Sequence, residues 1–475
     1  MPTPAAATVP DSLADLPHLL QTAEGFAPLA EALRAGQSGS VDGAWGSAAA
    51  LAIAALTHEA PEPVLVVIPH PADLDALAGD LRSLTGVSPA SFPALDSLPD
   101  ERPRFDAAAS TRLRLIQSLS RPEPPRLVLA TMQALMQPVP AAKDLAARSR
   151  PLRVGEAIDV DELSAWLVGS GYKRVDAVEL PGEFSRRGGI FDIYSQDADA
   201  PYRLELFGDE VESLRQFAAD TQRSLGDLES ASVLSLPTGP LSPAESRDNK
   251  GQGIKDKGHL TDYLPDSAWT VLMEPDDLRE QGRHFLDRAG DAVGLFSVAG
   301  TLQQLVTFPS VTVSALPAAS VESTWHLRVE SVERFSGNVA RIRDELDQVA
   351  AVESVLIACH NDAEVKRLTE VLSAGRLAQS DRLRLVKGHV QAGYRLVEAG
   401  VVVLGSHELF HREDPIVAEP GTLRPRFGGR KIESRAIDSF LDLAVGDLVV
   451  HVSHGIARFR GMVMLDRASG GGGGG

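Results

Sequence analysis

Hydrophobic and polar positions alternate in two adjacent stretches near the middle of the chain, residues 180–194 and 202–217. Alternation with a period of two is typical of β-strands, whose successive side chains point to opposite faces. Each stretch is interrupted by a dipeptide that favours a tight turn, Gly188-Gly189 in the first and Gly208-Asp209 in the second. The pattern therefore predicts two successive β-hairpins.

The first strand of the second hairpin has one apolar and one mixed face, with Leu204 and Leu206 alternating with Arg203, Glu205 and Phe207. A mixed face is in most proteins simply solvated. Here charges of both signs lie beside aromatic residues, including Phe191 of the first hairpin, and such a composition suits a docking surface. The pattern leaves both interpretations open. It also leaves Asp192 and Asp209 open between capping a turn and contacting a partner.

Residues before about 145 follow a different pattern, in which helical periodicity alternates with short, continuously apolar runs. Helices are predicted over residues 11–34, 47–57 and 73–84, and buried strands over residues 63–69 and 126–131. Strands that are apolar on both faces and alternate with helices indicate a parallel α/β sheet.

The same alternation returns after a polar stretch at 242–257, which is predicted to be a linker. A turn and a strand are predicted over residues 260–274 and a helix over 276–289. A second α/β block is predicted over about 325–420, with a strand at 355–359, a helix at 362–374 and a strand at 400–404.

The last part of the chain combines a basic segment with a β-like segment. Residues 423–435 carry five basic side chains interrupted by one proline and two glycines, which suits a flexible linker at least as well as a nucleic-acid contact. Residues 445–459 are predicted to form two strands around His454-Gly455, and a glycine run ends the sequence. Two strands alone do not close a barrel, so we expect this final domain to be cut short.

Composition narrows the class of protein. The chain has 475 residues, 43% hydrophobic, with a net charge of −19, which argues against a protein whose main role is to coat nucleic acid. Cys359 is the single cysteine, so no disulfide or cysteine metal site is expected. The start lacks a signal-peptide pattern, and the most apolar run, residues 48–56, is too short to span a bilayer. A cytoplasmic protein without membrane contact is expected.

A segment near residue 45 lies where an α/β nucleotide-binding domain would place its phosphate loop. Gly43 and Gly46 precede a predicted helix, but the positions that would need Gly-Lys-Ser/Thr are Ala48, Ala49 and Ala50. No side chain remains there to neutralise phosphate or to hold Mg²⁺. We therefore expect no ATP hydrolysis by this chain.

The central hairpins closely resemble the β-rich module shared by the excision-repair protein UvrB and the transcription-repair coupling factors. The resemblance rests on residues 182–184, 187–190, 192–193, 207–210, 212–215 and 221–224. In that family the module binds UvrA. The resemblance therefore implies a UvrA-binding surface, for which we select Arg174, Arg186, Arg187, Phe191, Arg203, Glu205 and Phe207.

The resemblance to the coupling factors extends beyond this module. The first lobe is similar around residues 92–99 and 127–136, and Met273 stands where UvrB has an Asp. Residues 446–459 resemble the opening of the CarD-like RNA-polymerase-interacting domain, which implies contact with the polymerase β subunit through Val449, His451 and His454. The ATP- and Mg²⁺-dependent DNA-translocating motor of that family lies outside this sequence, so no cofactor is expected here.

The expected fold class is multidomain α/β. The predicted parts are a degenerate RecA/P-loop-like, UvrB-like lobe (1–148), the inserted UvrA-binding module (149–240), the rest of the UvrB-like region (241–322), a further α/β domain with the basic connector (323–437), and an incomplete CarD-like barrel (438–475). The implied function is recruitment of UvrA to RNA polymerase stalled at damaged DNA, with DNA contact secondary. A standalone UvrA-binding adaptor or decoy and a UvrB-type helicase remain the alternatives.

Overall fold

A computed structural model describes residues 9–95, 107–147, 149–234, 257–290, 294–316, 323–332, 335–336, 338, 341–350, 352–410, 448–451 and 455–458. The chain divides into two compact units, residues 1–419 and 420–475.

The first part of unit one alternates helices and strands as predicted. Its helices are α1 (Leu16–Gln21), α2 (Phe26–Arg34), α3 (Gly46–Glu59), α4 (Leu74–Thr85), α5 (Ala107–Leu119), α6 (Met132–Met136) and α7 (Ala142–Ala147). Its strands are β1 (Gly39–Asp42), β2 (Val64–Ile68), β3 (Ala90–Phe92), β4 (Leu127–Thr131), β5 (Val139–Pro140) and β6 (Ser149–Arg153). Short 3₁₀ turns lie at Leu13–Asp15 and Pro71–Asp73.

The central part is mostly β. After helix α8 (Val160–Gly169) come strands β7 (Lys173–Arg174), β8 (Glu183–Arg187), β9 (Ile190–Tyr194), β10 (Tyr202–Phe207), β11 (Glu210–Phe217), β12 (Ser224–Asp227) and β13 (Ser230–Leu234). Both predicted hairpins are confirmed, since β8 pairs with β9 and β10 with β11, each antiparallel. Sequence reasoning did not predict that β13 pairs back onto β6.

The rest of unit one completes two sheets. Its strands are β14 (Lys257–Gly258), β15 (Trp269–Met273), β16 (Ser310–Ser314), β17 (Ser323–His326), β18 (Val329–Ser331), β19 (Ser354–Cys359), β20 (Leu383–Lys387), β21 (Tyr394–Leu396) and β22 (Val401–Gly405). Its helices are a 3₁₀ turn at Leu260–Tyr263, then α9 (Pro275–Ala289), α10 (Val298–Leu305), α11 (Ile342–Val349), α12 (Asp362–Leu372), α13 (Arg376–Gln379) and α14 (Ser406–Phe410).

Two α/β sheets and one β-rich sheet organise unit one. The first sheet has the order β17-β1-β16-β15-β2-β4-β3, and all its strand pairs are parallel. The module forms a six-stranded sheet with the order β12-β11-β10-β9-β8-β7. The second α/β sheet has the order β18-β21-β22-β19-β20. The predicted α/β class with a parallel sheet is confirmed.

Residue types explain why these elements form. Strand β2 is buried at every position, which is why its sequence is an unbroken apolar run. Helix α3 is buried from Ser47 to Thr57, so its alanines allow close packing on every side. The periodicity predicted over 11–34 is divided, because Gly25 adopts a left-handed conformation with φ 92° and separates α1 from α2.

The described part of unit two is one antiparallel hairpin, β23 (Leu448–His451) with β24 (Gly455–Arg458). The predicted pair of strands is confirmed, and Val449 and His451 lie on β23. Three of the predicted features lie outside the described residues: the polar stretch at 242–257 except for Lys257, the basic segment at 423–435, and His454.

Candidate protein-binding surface

The two hairpin turns of the module lie side by side at one end of its sheet. Gly188 has φ 60° and Gly208 has φ 65°, backbone conformations that glycine adopts without a steric penalty. The backbone N–H of Leu206 donates to the carbonyl of Gly189 at 2.8 Å, which links the two turns. Two turns that were predicted separately thus form one end of the sheet.

This end of the sheet exposes both apolar and cationic side chains. Phe207 is 80% exposed and Ile190 is 37% exposed, while the side chain of Arg187 is 58% exposed. A largely exposed aromatic ring and a guanidinium at the same end of a sheet are typical of an interface anchor. Arg174 is also exposed, on the short edge strand β7.

Phe191 does not belong to this surface, and the expectation that its ring is exposed is wrong. It is only 1% exposed, and its ring stacks on that of Phe184 with centroids 5.8 Å apart. Successive side chains of a strand alternate between faces, so Phe191 faces the core while its neighbours Ile190 and Asp192 face the other way. Its burial excludes it from direct contact with a partner in this structure.

The two neighbouring arginines of β8, Arg186 and Arg187, point to opposite faces of the sheet. Arg186 is directly opposite Phe191 in the register, and its guanidinium pairs with the carboxylate of Asp161 in helix α8. Arg187 is opposite Ile190, and its Nη2 lies 3.7 Å from Oδ2 of Asp192. The sheet therefore presents these adjacent arginines on opposite faces.

Arg203 is part of an internal charge pair. Its Nε and Nη2 donate to Oδ1 and Oδ2 of Asp192 at 2.7 and 2.8 Å, and Nη2 also donates to Gln222 at 2.9 Å. Its guanidinium lies 4.3 Å from the ring centroid of Phe217. The hydrogen bonds that Arg203 donates to the Asp192 carboxylate raise the pKa of Arg203. With these donors engaged and its side chain mostly covered, Arg203 supports the surface from within.

Glu205 makes a second, more exposed pair on the same sheet. Its Oε1 lies 2.7 Å from Nη2 of Arg215, and its Oε2 accepts a hydrogen bond from Ser213 at 3.0 Å. Of the seven residues selected from the sequence, Arg187, Glu205 and Phe207 are thus accessible near the turns. Arg174 and Arg186 are accessible elsewhere on the module.

Sequence reasoning missed the role of Asp192, which neither caps a turn nor faces solvent. Its side chain is 2% exposed and lies between Arg203 and Arg187. The turn dipeptides fix the register within each hairpin, but the pairing of Arg203 with Asp192 depends on the register between the hairpins. No local sequence signal specifies that register.

The second candidate region is the expected phosphate loop. It connects a strand to a helix, but other parts of the protein cover the start of that helix. Gly43 and Gly46 have positive φ values and connect β1 to α3, where Ala48, Ala49 and Ala50 are buried. The N–H of Ala392, from the second α/β block, donates to the Ser47 hydroxyl at 2.9 Å. Protein atoms therefore contact the first turn of α3, where the loop would bind phosphate.

The strand end with Met273 is likewise engaged by protein groups. Glu274, which follows it, has φ 46°, and its Oε1 accepts a hydrogen bond from the backbone of Ala315 at 2.8 Å. Within the described residues, no group of three or more His, Cys, Asp or Glu side chains is arranged to hold a metal ion.

Comparison with known families assigns the module. The UvrB interaction domain family matches residues 151–237, and the CarD-like/TRCF RID domain family matches residues 443–471. The six-stranded sheet and its exposed end thus lie inside the region that is similar to the UvrB interaction domain. Among the described helices, none has the length and apolar character needed to cross a bilayer.

The particular relatives are transcription-repair-coupling factors. The chain is 27% identical to that of Mycobacterium bovis over 90% of its own length, 23% identical to that of Bacillus subtilis over 89%, and 22% identical to that of Haemophilus influenzae over 88%. It spans 40 to 42% of the length of these relatives. The predicted resemblance to a portion of a transcription-repair coupling factor is confirmed.

Proposed function

We propose that this chain recruits UvrA to RNA polymerase stalled at DNA damage, as part of a transcription-repair coupling factor. The main support for the proposal is that the exposed end of the six-stranded sheet lies within the residues that match the UvrB interaction domain. We propose that Phe207, Ile190 and Arg187 contact UvrA directly, with Glu205 at their border and Arg174 and Arg186 on neighbouring parts of the module.

The physical argument rests on what these side chains offer a partner. Most of the Phe207 ring is exposed, so only a second protein can bury it. Each Å² of apolar surface that is buried in this way contributes about 25 cal/mol of favourable free energy to binding. The planar guanidinium of Arg187 can donate two parallel hydrogen bonds to a carboxylate of the partner. A partner surface with an apolar pocket beside an acidic group therefore fits this end of the sheet.

Calorimetric titration of the chain with UvrA tests the proposal. Phe207→Ala and Arg187→Ala should each weaken binding by at least tenfold, a typical effect for an interface anchor. Val168→Ala and Leu225→Ala are the controls, because both side chains are exposed on the same module, on helix α8 and on the edge strand β12. Loss of binding in the controls as well, or no binding by the folded wild-type chain, contradicts the proposal.

We further propose that the first lobe is a degenerate RecA-like domain that binds no nucleotide. The buried Ala48–Ala50 segment and the contact of Ala392 with Ser47 support this, since a bound phosphate would need both a lysine and access to the first turn of α3. Titration of a fluorescent ATP analogue should give no saturable signal with the chain. Micromolar binding would instead favour the helicase alternative.

For the polymerase end, we propose that the hairpin of β23 and β24 belongs to a CarD-like domain that contacts the RNA polymerase β subunit. The match of residues 443–471 to the CarD-like/TRCF RID family supports this. Co-purification of the chain with the isolated β subunit should be reduced by Val449→Ala and by His451→Ala. Equal recovery of wild type and both variants contradicts the assignment of these residues. DNA contact stays a secondary proposal.

The expected division at 1–148, 149–240, 241–322, 323–437 and 438–475 likewise remains a proposal. Limited proteolysis with mass spectrometry should yield a stable fragment whose ends lie near 149 and 240. A fragment that always retains the first lobe would contradict independent folding of the module.

A further inference from the structure

The buried carboxylate of Asp192 lies on β9, two residues along the strand from Ile190 at the exposed end of the module's sheet. It is 2% exposed, yet it is opposite Arg203 on one neighbouring strand and opposite Ser185 on the other. A buried carboxylate is destabilising unless charged donors surround it. Asp192 meets this requirement through the paired hydrogen bonds from Arg203, at 2.7 and 2.8 Å.

The Asp192 carboxylate also reaches toward the surface. Its Oδ2 lies 3.7 Å from Nη2 of Arg187, the exposed cation beside the hairpin turns. Arg203 is itself fixed on its other side by Gln222, at 2.9 Å, and by the Phe217 ring below its guanidinium. The four residues lie on consecutive strands of the sheet: Phe217 on β11, Arg203 on β10, Asp192 on β9 and Arg187 on β8.

We propose that Asp192 is the positioning residue of the UvrA-binding surface, holding the Arg187 guanidinium in a binding-ready orientation. This inference rests on the proposed function, because it concerns the same surface. A long, exposed arginine loses side-chain entropy when a partner fixes it. Attraction to the Asp192 carboxylate already restricts Arg187 before binding, so less entropy is lost when the partner binds. Asp192 thus acts through Arg187 and makes no contact with the partner itself.

The test compares Asp192→Asn, Arg187→Ala and the double variant in calorimetric titrations with UvrA. Asp192→Asn keeps the shape and removes the charge that attracts Arg187. We expect about tenfold weaker binding for Asp192→Asn and no further weakening when it is added to Arg187→Ala, since coupled residues show non-additive effects. Additive losses would overturn the positioning role.

Two further measurements separate positioning from folding. Asp347→Asn removes a mostly buried carboxylate paired with Arg376 in the second α/β block and should leave UvrA affinity unchanged. If Asp192→Asn unfolds the module, as shown by lost near-ultraviolet dichroism, Arg203→Lys is used in its place. It keeps the positive charge but abolishes the two-bond pairing, and it should weaken binding without a further loss in the Arg187→Ala background.

The outcomes distinguish the two proposals. If wild type binds UvrA and Phe207→Ala weakens binding while Asp192→Asn and Arg203→Lys do not, the positioning role fails and the proposed function stands. If the folded wild-type chain does not bind UvrA, the proposed function fails and this inference fails with it.

Discussion

The imidazole Nδ1 of His389 lies 2.7 Å from Oδ1 of Asp80, and this contact joins the second α/β block to helix α4 of the first lobe. The same carboxylate oxygen accepts the backbone N–H of Gln391 at 2.9 Å, and the N–H of His389 donates to the Ser83 hydroxyl at 2.8 Å. A short segment after β20 is thus bound to α4 by three polar contacts, next to the segment that contacts Ser47.

Asp80→Ala should destabilise this junction, because it removes the buried carboxylate that accepts the Gln391 N–H and contacts the His389 ring. We expect a loss of about 1–3 kcal/mol in the free energy of unfolding, measured with urea. Asp277→Ala is the matched control, since it removes a similar contact, 2.8 Å from His70, at a half-exposed site. There the loss should stay below about 1 kcal/mol. Equal losses in the two variants would contradict a special role for the junction.

Stability should also fall in mild acid because of His259. Burial lowers the pKa of His259 from 6.5 to about 4, so the folded state favours the neutral ring. The contribution of the neutral His259 ring to the free energy of unfolding is complete above pH 6.5. It is lost as the pH falls from 6.5 to about 4, by about 1.4 kcal/mol per pH unit. Between pH 7 and pH 5 this amounts to about 2 kcal/mol.

The variant His259→Asn isolates this effect. His259 precedes the 3₁₀ turn at Leu260–Tyr263, and its ring accepts from the N–H of Thr261. Asparagine caps helix starts in the same way but does not titrate. Urea midpoints at pH 7 and pH 5 should differ less in this variant than in wild type. An equal pH dependence in both proteins would assign the acid sensitivity to other groups.

Cys359 should be unreactive in the native protein. It ends strand β19 without solvent exposure, and burial raises the pKa of its thiol to about 12. Because the thiolate is the reactive form, labelling by a disulfide reagent at pH 8 should be slow under native conditions and rapid in urea. Fast labelling of a folded sample would show that the second α/β block opens locally. Glutathione is the control for reagent activity.

Gly43 should tolerate alanine poorly, for two separable reasons. Its φ is +80°, and a Cβ atom there would lie 2.6 Å from the carbonyl oxygen of Leu327. Gly155 has φ +82° but no heavy atom within 4 Å of the same position. Gly155→Ala should therefore cost about 1–2 kcal/mol of unfolding free energy from backbone strain alone. Gly43→Ala should cost clearly more, and equal costs would indicate that the segment around Leu327 moves aside.

Local sequence determined the elements and the class of this protein. The run Val64–Ile68 is rich in β-branched residues and flanked by prolines, which indicates a strand buried on both faces, and the Gly188 and Gly208 turns set each hairpin. The spacing of residues around these turns also sufficed to indicate the UvrB interaction module. These features depend on neighbours in the chain, so they can be read without tertiary information.

Tertiary structure decided which side chains are available. Phe191 and Phe207 are both aromatic residues of hairpin strands, yet one is in the core and the other is 80% exposed. Arg187 and Arg203 look equivalent in sequence, but only the second is enclosed by Asp192, Gln222 and Phe217. Burial and ion pairing depend on the register between hairpins and on packing against distant segments, which no local pattern specifies.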